Sequence, residues 1–376
     1  MNDNQTLKDR FANKGESYQV AARQLGVSKT ALINAVVHGK FPSKHTEDFK
    51  QKLSAYLGCA ITQLSTNQTS TQKETDMLLR KSKLTPATLR HFGLIRNPFD
   101  DEIRSSDDIF KSDDVRYVRE YLYNTANHGG FMAVVGESGA GKSTLREDLH
   151  ERLLTDGKPV IIIEPYVLAM EDNDIKGKTL KSVHIAEAIL EAVAPNEKAK
   201  RSPEARFRQV HHALMESHKA GNRHLLIIEE AHGLPVPTLK HLKRFYELKL
   251  GFKRLLGIVL IGQSELAHKL GEKDPNVREV VQRCEIATLM PLTDGKLGVY
   301  LKHKFERAGA DITQVLDKSA VNAIAERLTV TTRNKSGTHE HSLLYPLAVN
   351  NLVSMAMNTA CELGFDIVDG DVVKSV

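Results

Sequence analysis

The chain has 376 residues, 41% of them hydrophobic and 26% charged, the mix of a soluble globular protein of about two or three domains rather than a disordered one. The longest apolar runs, Phe131–Val135 and Val160–Ile163, are far too short to cross a bilayer. The first ten residues are polar and offer no signal peptide, and the odd, widely spaced Cys59, Cys284 and Cys361 match no zinc or disulfide framework, so a cytoplasmic location is expected. Net charge is +5, and residues 1–70 hold +4 of it through nine Lys/Arg against five Asp/Glu, a basic end on a nearly neutral body that hints at nucleic acid.

Residues 1–62 read as short helices. In the stretch Gln19 to Asn34, the spacing of Ala22, Leu25, Val27, Leu32 and Ala35 predicts the core of a helix-turn-helix, with Gly26 in the tight turn and Ser28 capping the second helix. The outer face would then carry Lys29, Thr30 and Asn34 toward DNA, with Lys40 and Lys44 as phosphate contacts. A three-helix module that binds protein is the competing reading. Residues 63–90 read as a linker, because the run from Ser65 to Thr75 has almost no apolar content.

From about residue 115, short β-branched runs alternate with helical stretches. Strands are predicted at Phe131–Val135, Val160–Glu164, Leu225–Ile228, Leu256–Ile261 and Glu285–Leu289, and helices at 142–155, 179–193, 203–220 and 236–250. That alternation predicts an α/β domain over 91–291, a parallel sheet covered on both faces. Helices at 294–309, 317–328 and 343–363 predict a helical lid over 292–376.

The strongest chemical signal is Gly136-Glu137-Ser138-Gly139-Ala140-Gly141-Lys142-Ser143-Thr144, a complete phosphate loop between a strand and a helix. Its glycines let backbone N–H groups curl around phosphate oxygens, and the helix N-terminus adds its dipole. Lys142 would reach the outer phosphates of ATP and Ser143 would ligate Mg²⁺. A second signal is the apolar strand ending in Glu229-Glu230. It sets two carboxylates at the ligand-binding edge of the sheet, Glu229 for the metal shell and Glu230 to activate the attacking water.

These stretches together resemble an AAA+ ATPase of the transposition target-selection group (phage Mu B and Tn7-type regulators), which is similar to the ExeA-type secretion ATPases. Phe92 to Phe99 looks like the motif beside the adenine pocket, through Pro98 and Phe99. Ile227 to His232 looks like Walker B, and Leu256 to Leu266 looks like the sensor-1 strand with Gln263 as its polar head. Arg283 stands where the group carries an arginine finger, with Arg278 as the competing candidate. The departures are Glu229 where Asp is usual, Gly262-Gln263 at sensor 1, and no arginine in Ser336 to His341, where sensor 2 often lies.

The resemblance implies an ATPase, slow and DNA-stimulated, in which Lys142, Glu230 and Arg283 act on the triphosphate. It also implies a homo-oligomer, ring or filament, on double-stranded DNA, with a DDE transposase as partner and no membrane. In the segment after the second predicted strand, at the start of the predicted helix 179–193, Lys176, Lys178 and Lys181 would contact DNA backbone, with a solvated charged loop as the alternative. A nucleotide-sensing helix-turn-helix transcription regulator without a filament is the rival reading, and a secretion ATPase is the second rival.

Overall fold

The computed structural model describes residues 11, 14, 18–27, 32, 35–36, 41, 46–58, 81–100, 103–165, 180–271, 277–334 and 337–376. The chain divides into two compact units, Met1–Arg80 and Lys81–Val376.

In the first unit, helix α1 (Tyr18–Leu25) stops at Gly26, whose φ of 66° suits a residue without Cβ. The Val27 N–H then returns to the Ala22 carbonyl at 3.0 Å. Ala22, Leu25, Leu32 and Ala35 are buried in one cluster with Phe49, Leu53 and Leu57 of α2 (Thr46–Leu57), and Val27 packs against it. Lys29, Thr30, Asn34, Lys40 and Lys44 lie outside the described residues.

The second unit opens with a correction. Residues 81–90, expected as the end of a linker, are docked structure. Ser82 N–H donates to Asn351 Oδ1, and Thr88 Oγ1 to Asn358 Oδ1 at 2.7 Å, both partners on the long helix of the lid. Thr85 caps α3 (Pro86–His91), and Leu84 and Thr88 are buried. The apolar-poor run that suggested a linker, Ser65 to Thr75, stops short of this stretch, whose anchoring combines side-chain amides and hydroxyls with the buried Leu84.

After α4 (Asp113–His128) come β1 (Phe131–Val135), α5 (Lys142–Thr155), β2 (Val160–Ile163), α6 (Ser182–Val193), α7 (Pro203–Lys219), β3 (Arg223–Ile228) and α8 (Val236–Tyr246). A short hairpin, β4 (Lys249–Leu250) and β5 (Lys253–Arg254), leads to β6 (Gly257–Gly262), α9 (Ser264–Lys269), α10 (Arg278–Val281) and β7 (Glu285–Thr288). The five long strands form one sheet in the order β2-β3-β6-β1-β7, with every pairing parallel. All five predicted strands are present, each within about two residues of its expected ends.

The strand residues sort by parity, as a pleat demands. Phe131, Ala133, Val135, Leu226, Ile228, Ile258 and Leu260 face a cluster with α6, α7 and α8. Met132, Val134, Leu225, Ile227, Val259 and Ile261 face a second cluster with α4 and α5. Both faces are therefore covered, which is why the strands read as continuous apolar runs rather than alternating ones.

The lid holds the three expected helices, α11 (Lys296–Arg307), α12 (Lys318–Arg327) and α13 (Pro346–Leu363), and a fourth, α14 (Gly370–Ser375). It also holds an unexpected antiparallel hairpin, β8 (Thr329–Asn334) with β9 (Gly337–Ser342). Gly337 to His341, from the stretch where a sensor-2 cation was sought, lie on β9 of that hairpin, and Ser336 lies outside the described residues. No helix among the described residues is long and apolar enough to cross a membrane.

Candidate nucleotide site

The first residues beyond β1, β2, β3 and β6 are Gly136, Glu164, Glu229 and Gln263, so the sheet itself delivers the predicted chemistry to one edge. Gly136 N–H donates to the Gly262 carbonyl at 3.2 Å, which ties the start of the phosphate loop to the end of the neighbouring strand. Gly139 and Gly141 have φ of 76° and 95°, and Gly141 caps α5 in the left-handed region. A side chain on Gly136 would press on Ala140 and Leu289 at 3.1 and 3.2 Å, and one on Gly139 would meet Leu347 at 2.3 Å. The cradle therefore exists only because these positions lack Cβ.

Lys142 folds back over the loop. Its ammonium donates to the carbonyl oxygens of Gly136 at 2.7 Å and Glu137 at 2.9 Å. Burial pulls its pKa below the usual lysine range, while the charges of Glu230, Glu137 and Glu229 act against that shift. A cation held by neutral carbonyls in a partly desolvated loop suits the phosphates of a nucleoside triphosphate. With Ser143, Thr144 and the carboxylates of Glu229 and Glu230 nearby, the donor set fits ATP and Mg²⁺. The metal, when bound, would neutralise phosphate charge.

The two acids differ in setting. Glu229 pairs with Arg146 at 2.9 Å, and Arg146 also approaches Glu164 at 3.8 Å. Arg146 lies one helical turn beyond Lys142, on the same face of α5. Sequence reasoning missed it, although that spacing was the available signal. Glu230 is exposed and left-handed, with φ 48° and ψ 34°, a conformation that costs a non-glycine residue roughly 1–3 kcal/mol. Its carboxylate stands 3.4 Å from His232 Nδ1, and the backbone turn holds it out toward solvent, as activation of a water requires.

Beside the loop lies a cavity of about 340 Å³, walled by Gly141, Ser143 and Thr144 on one side and by Ile109, Phe110, Tyr300 and Asn350 on the other. Tyr300 donates to Asn350 Oδ1 at 2.8 Å, and burial pushes its hydroxyl pKa up. An aromatic wall with one amide next to a phosphate cradle is a shape for a nucleobase.

Pro98 and Phe99 do not form that wall. Asn97 Oδ1 accepts from Phe99 N–H at 2.9 Å and turns the chain, so that Phe99 is buried edge-on against Phe305 at 5.7 Å. Pro98 lines a smaller adjoining cavity of about 40 Å³. Gln263 stands at the sheet edge as the cap residue of α9.

Arg283 is not in this site. It precedes β7, whose Glu285 is level with Met132, so it lies at the opposite edge of the sheet from the phosphate loop. There it donates to the Glu279 carbonyl at 2.8 Å and pairs with Glu247 at 3.3 Å. Arg278 is exposed at the start of the short helix α10, and Arg283 lies in the turn after that helix. Lys181 is exposed just before α6, whereas Lys176 and Lys178 lie outside the described residues.

Residues 125–270 match the protein family described as an AAA domain. The chain is 28% identical over 188 residues to the general secretion pathway protein A of Aeromonas hydrophila, a match covering 50% of this chain and 32% of that protein. The chain thus spans about a third of the length of that curated relative. Among solved structures, Cdc6p from Pyrobaculum aerophilum is similar at a TM-score of 0.47 and 15% identity, over 73% of this chain and 68% of that one. The Aeropyrum pernix ORC2 protein is similar at 0.47 and 16%, over 74% and 71%. With its phosphate loop, paired acids and five-stranded parallel sheet, the chain carries an AAA-type ATPase domain and has the architecture of an ATP-hydrolysing enzyme.

Proposed function

We propose that this chain is an ATP-driven switch of the cytoplasm that assembles on double-stranded DNA in its ATP form, serves a DDE transposase by capturing target DNA, and lets go on hydrolysis. The observation that carries the switch is the seam between core and lid. Leu347, at the start of α13, donates its N–H to the Gly139 carbonyl at 3.2 Å, and the nucleotide cavity is walled from both sides. A triphosphate in that cavity touches core and lid together, so ATP and ADP favour different lid positions by their differential contacts. Support for the DNA part comes from the basic N-terminal end, the helical packing around Gly26, and the resemblance of the motifs to target-selection ATPases. Lys29, Thr30, Asn34, Lys176, Lys178 and Lys181 are the contacts proposed for it. Arg283 would act on the triphosphate of a neighbouring copy.

The deciding experiment measures duplex binding of the full chain with ATP, with ADP and without nucleotide, across a salt series. Tight binding with ATP alone, weakening steeply with salt, is expected. Glu230→Gln should trap the DNA-bound form and Lys142→Ala should abolish it. Equal affinity in ATP and ADP would refute the switch. Operator-specific binding by a fixed dimer would favour a transcription regulator. The likeness to a general secretion pathway protein favours a second reading, an ATPase of a secretion system, which requires no DNA affinity in any nucleotide state.

A further inference from the structure

At the sheet edge opposite the phosphate loop, hairpin β4–β5 turns through Gly251 and Phe252. Phe252 is entirely exposed, at 105%, while Leu248 and Leu255 on either side of the hairpin are buried. One exposed aromatic ring is ordinary on a protein surface. What distinguishes this one is its surroundings.

Phe252 forms part of the wall of a cavity of about 270 Å³ whose charged or titratable lining consists of Lys253, Arg254, Arg223, His218 and His128, without a carboxylate. Among the described residues, no acid forms an ion pair with Lys253, Arg254 or Arg223. By contrast, Lys243, on the preceding helix, pairs with both Glu247 and Glu279. The two arginines are fixed by neutral groups. Arg254 stacks 3.8 Å over the Tyr246 ring and donates to the Tyr246 carbonyl, and Arg223 donates to the Asn127 carbonyl at 3.2 Å and meets His218 at 3.1 Å. Their charges are therefore positioned without being neutralised. The crowding shows in His218, whose pKa is lowered first by burial and then by the charges of Arg223 and Lys253.

We infer that this hairpin is a DNA-contacting surface, in which a backbone phosphate enters the cationic cavity and an unpaired or unstacked base lies against Phe252. Rigid guanidinium groups suit a phosphate, and an exposed ring beside a positive groove is how sequence-tolerant contacts to single strands are built. The inference rests on the proposed DNA binding but places a contact on residues outside the proposed helix-turn-helix and lysine loop.

The test uses the full chain with a non-hydrolysable ATP analogue, titrated against a fluorescent oligothymidine and a fluorescent blunt duplex over a salt series. Phe252→Ala should weaken oligothymidine binding by about tenfold and duplex binding far less. Lys253→Glu should weaken both and lower the salt slope by about one phosphate contact. Neither variant should change ATP turnover without DNA, and inorganic phosphate at millimolar concentration should not compete. Variants that bind both DNAs within twofold of the parent would overturn the inference while leaving the proposed function intact. So would variants that lose self-association but keep DNA affinity, which would make the hairpin a subunit contact. Displacement by inorganic phosphate alone would reduce the cavity to a free-anion site. A parent chain that binds no DNA in any nucleotide state would overturn both proposals together.

Discussion

Gly139 is the point where the phosphate loop touches the lid, and Gly139→Ala separates two contributions at once. The residue has φ 76°, and a Cβ there would lie 2.3 Å from Leu347 Cβ. The backbone conformation alone costs an alanine roughly 1–2 kcal/mol. The overlap costs about 1–3 kcal/mol more, because the start of α13 must shift to relieve it. The substitution should therefore destabilise the second unit by about 2–5 kcal/mol. A double-mutant cycle with Leu347→Gly divides the total. Removing the Leu347 side chain removes the overlap and leaves the backbone cost, so the two changes should couple favourably by about 1–3 kcal/mol. Urea denaturation of the full chain measures the cycle, and titration with a fluorescent ATP analogue measures what the shifted lid does to binding. Additive effects, within about 0.5 kcal/mol, would mean that α13 does not sit on the loop and would remove the basis for coupling nucleotide to lid.

The remaining predictions concern charges around the same site. Burial places the pKa of Lys142 below the ordinary lysine value of 10.5, and a bound triphosphate would raise it again, so binding takes up a proton at alkaline pH. Affinity should fall as pH rises through the depressed pKa, while the nucleotide-free fold gains stability from this group across the interval up to the unfolded value. A titration showing affinity flat to pH 10.5 would count against the buried ammonium. Arg146→Ala should free Glu229 and lower the divalent-ion concentration needed for nucleotide binding by less than about fivefold, since the pair is partly exposed. Arg146→Lys should restore the parent midpoint in part, and an unmoved midpoint in the alanine variant would mean that the ion pair does not restrain the acid. Burial would raise the Asp108 pKa, but hydrogen bonds from Arg96 and Arg307 outweigh it and hold the carboxyl well below its ordinary value of 3.8. Its stabilisation is present above 3.8 and lost as pH falls below it, so Asp108→Asn should cost roughly 3 kcal/mol near neutrality and flatten the acid limb of the unfolding curve.

What could be read from the sequence, and what could not, follows from the range over which each feature is encoded. The phosphate loop is local: glycines at 136, 139 and 141 are demanded by close approach or positive φ, and those constraints are visible within nine residues. The strands are nearly as local, because burial on both faces forces apolar runs. The cavity wall is not local. Ile109 and Phe110 precede α4, whereas Tyr300 and Asn350 come from two lid helices, and nothing in any one segment announces that they meet. The residues given the adenine role, Pro98 and Phe99, are apolar for a different reason, to lock the incoming chain onto Phe305 of α11. Hairpin β8–β9 was missed because the runs TVTTRN and GTHEHS carry strand propensity only in their first half and no apolar alternation in the second.

Arg283 shows how register decides a role that spacing leaves open. In sequence, Arg278 and Arg283 compete for one function, and both lie shortly before the last strand. Once β7 is in register, Glu285 stands beside Met132, four residues before Gly136, or roughly 13 Å along the strand. Arg283 starts still further back and is held there by Glu247 and the Glu279 carbonyl. An arginine side chain does not span that distance to its own phosphate loop. Any action of Arg283 on a triphosphate therefore requires the loop of a second copy, and it requires the bond to Glu247 to open. Glu247→Gln, which weakens that bond without touching the nucleotide site, should leave the turnover of dilute protein unchanged and raise it only at concentrations where chains associate. Equal stimulation at every concentration would show that Arg283 acts within its own chain, against the sheet geometry.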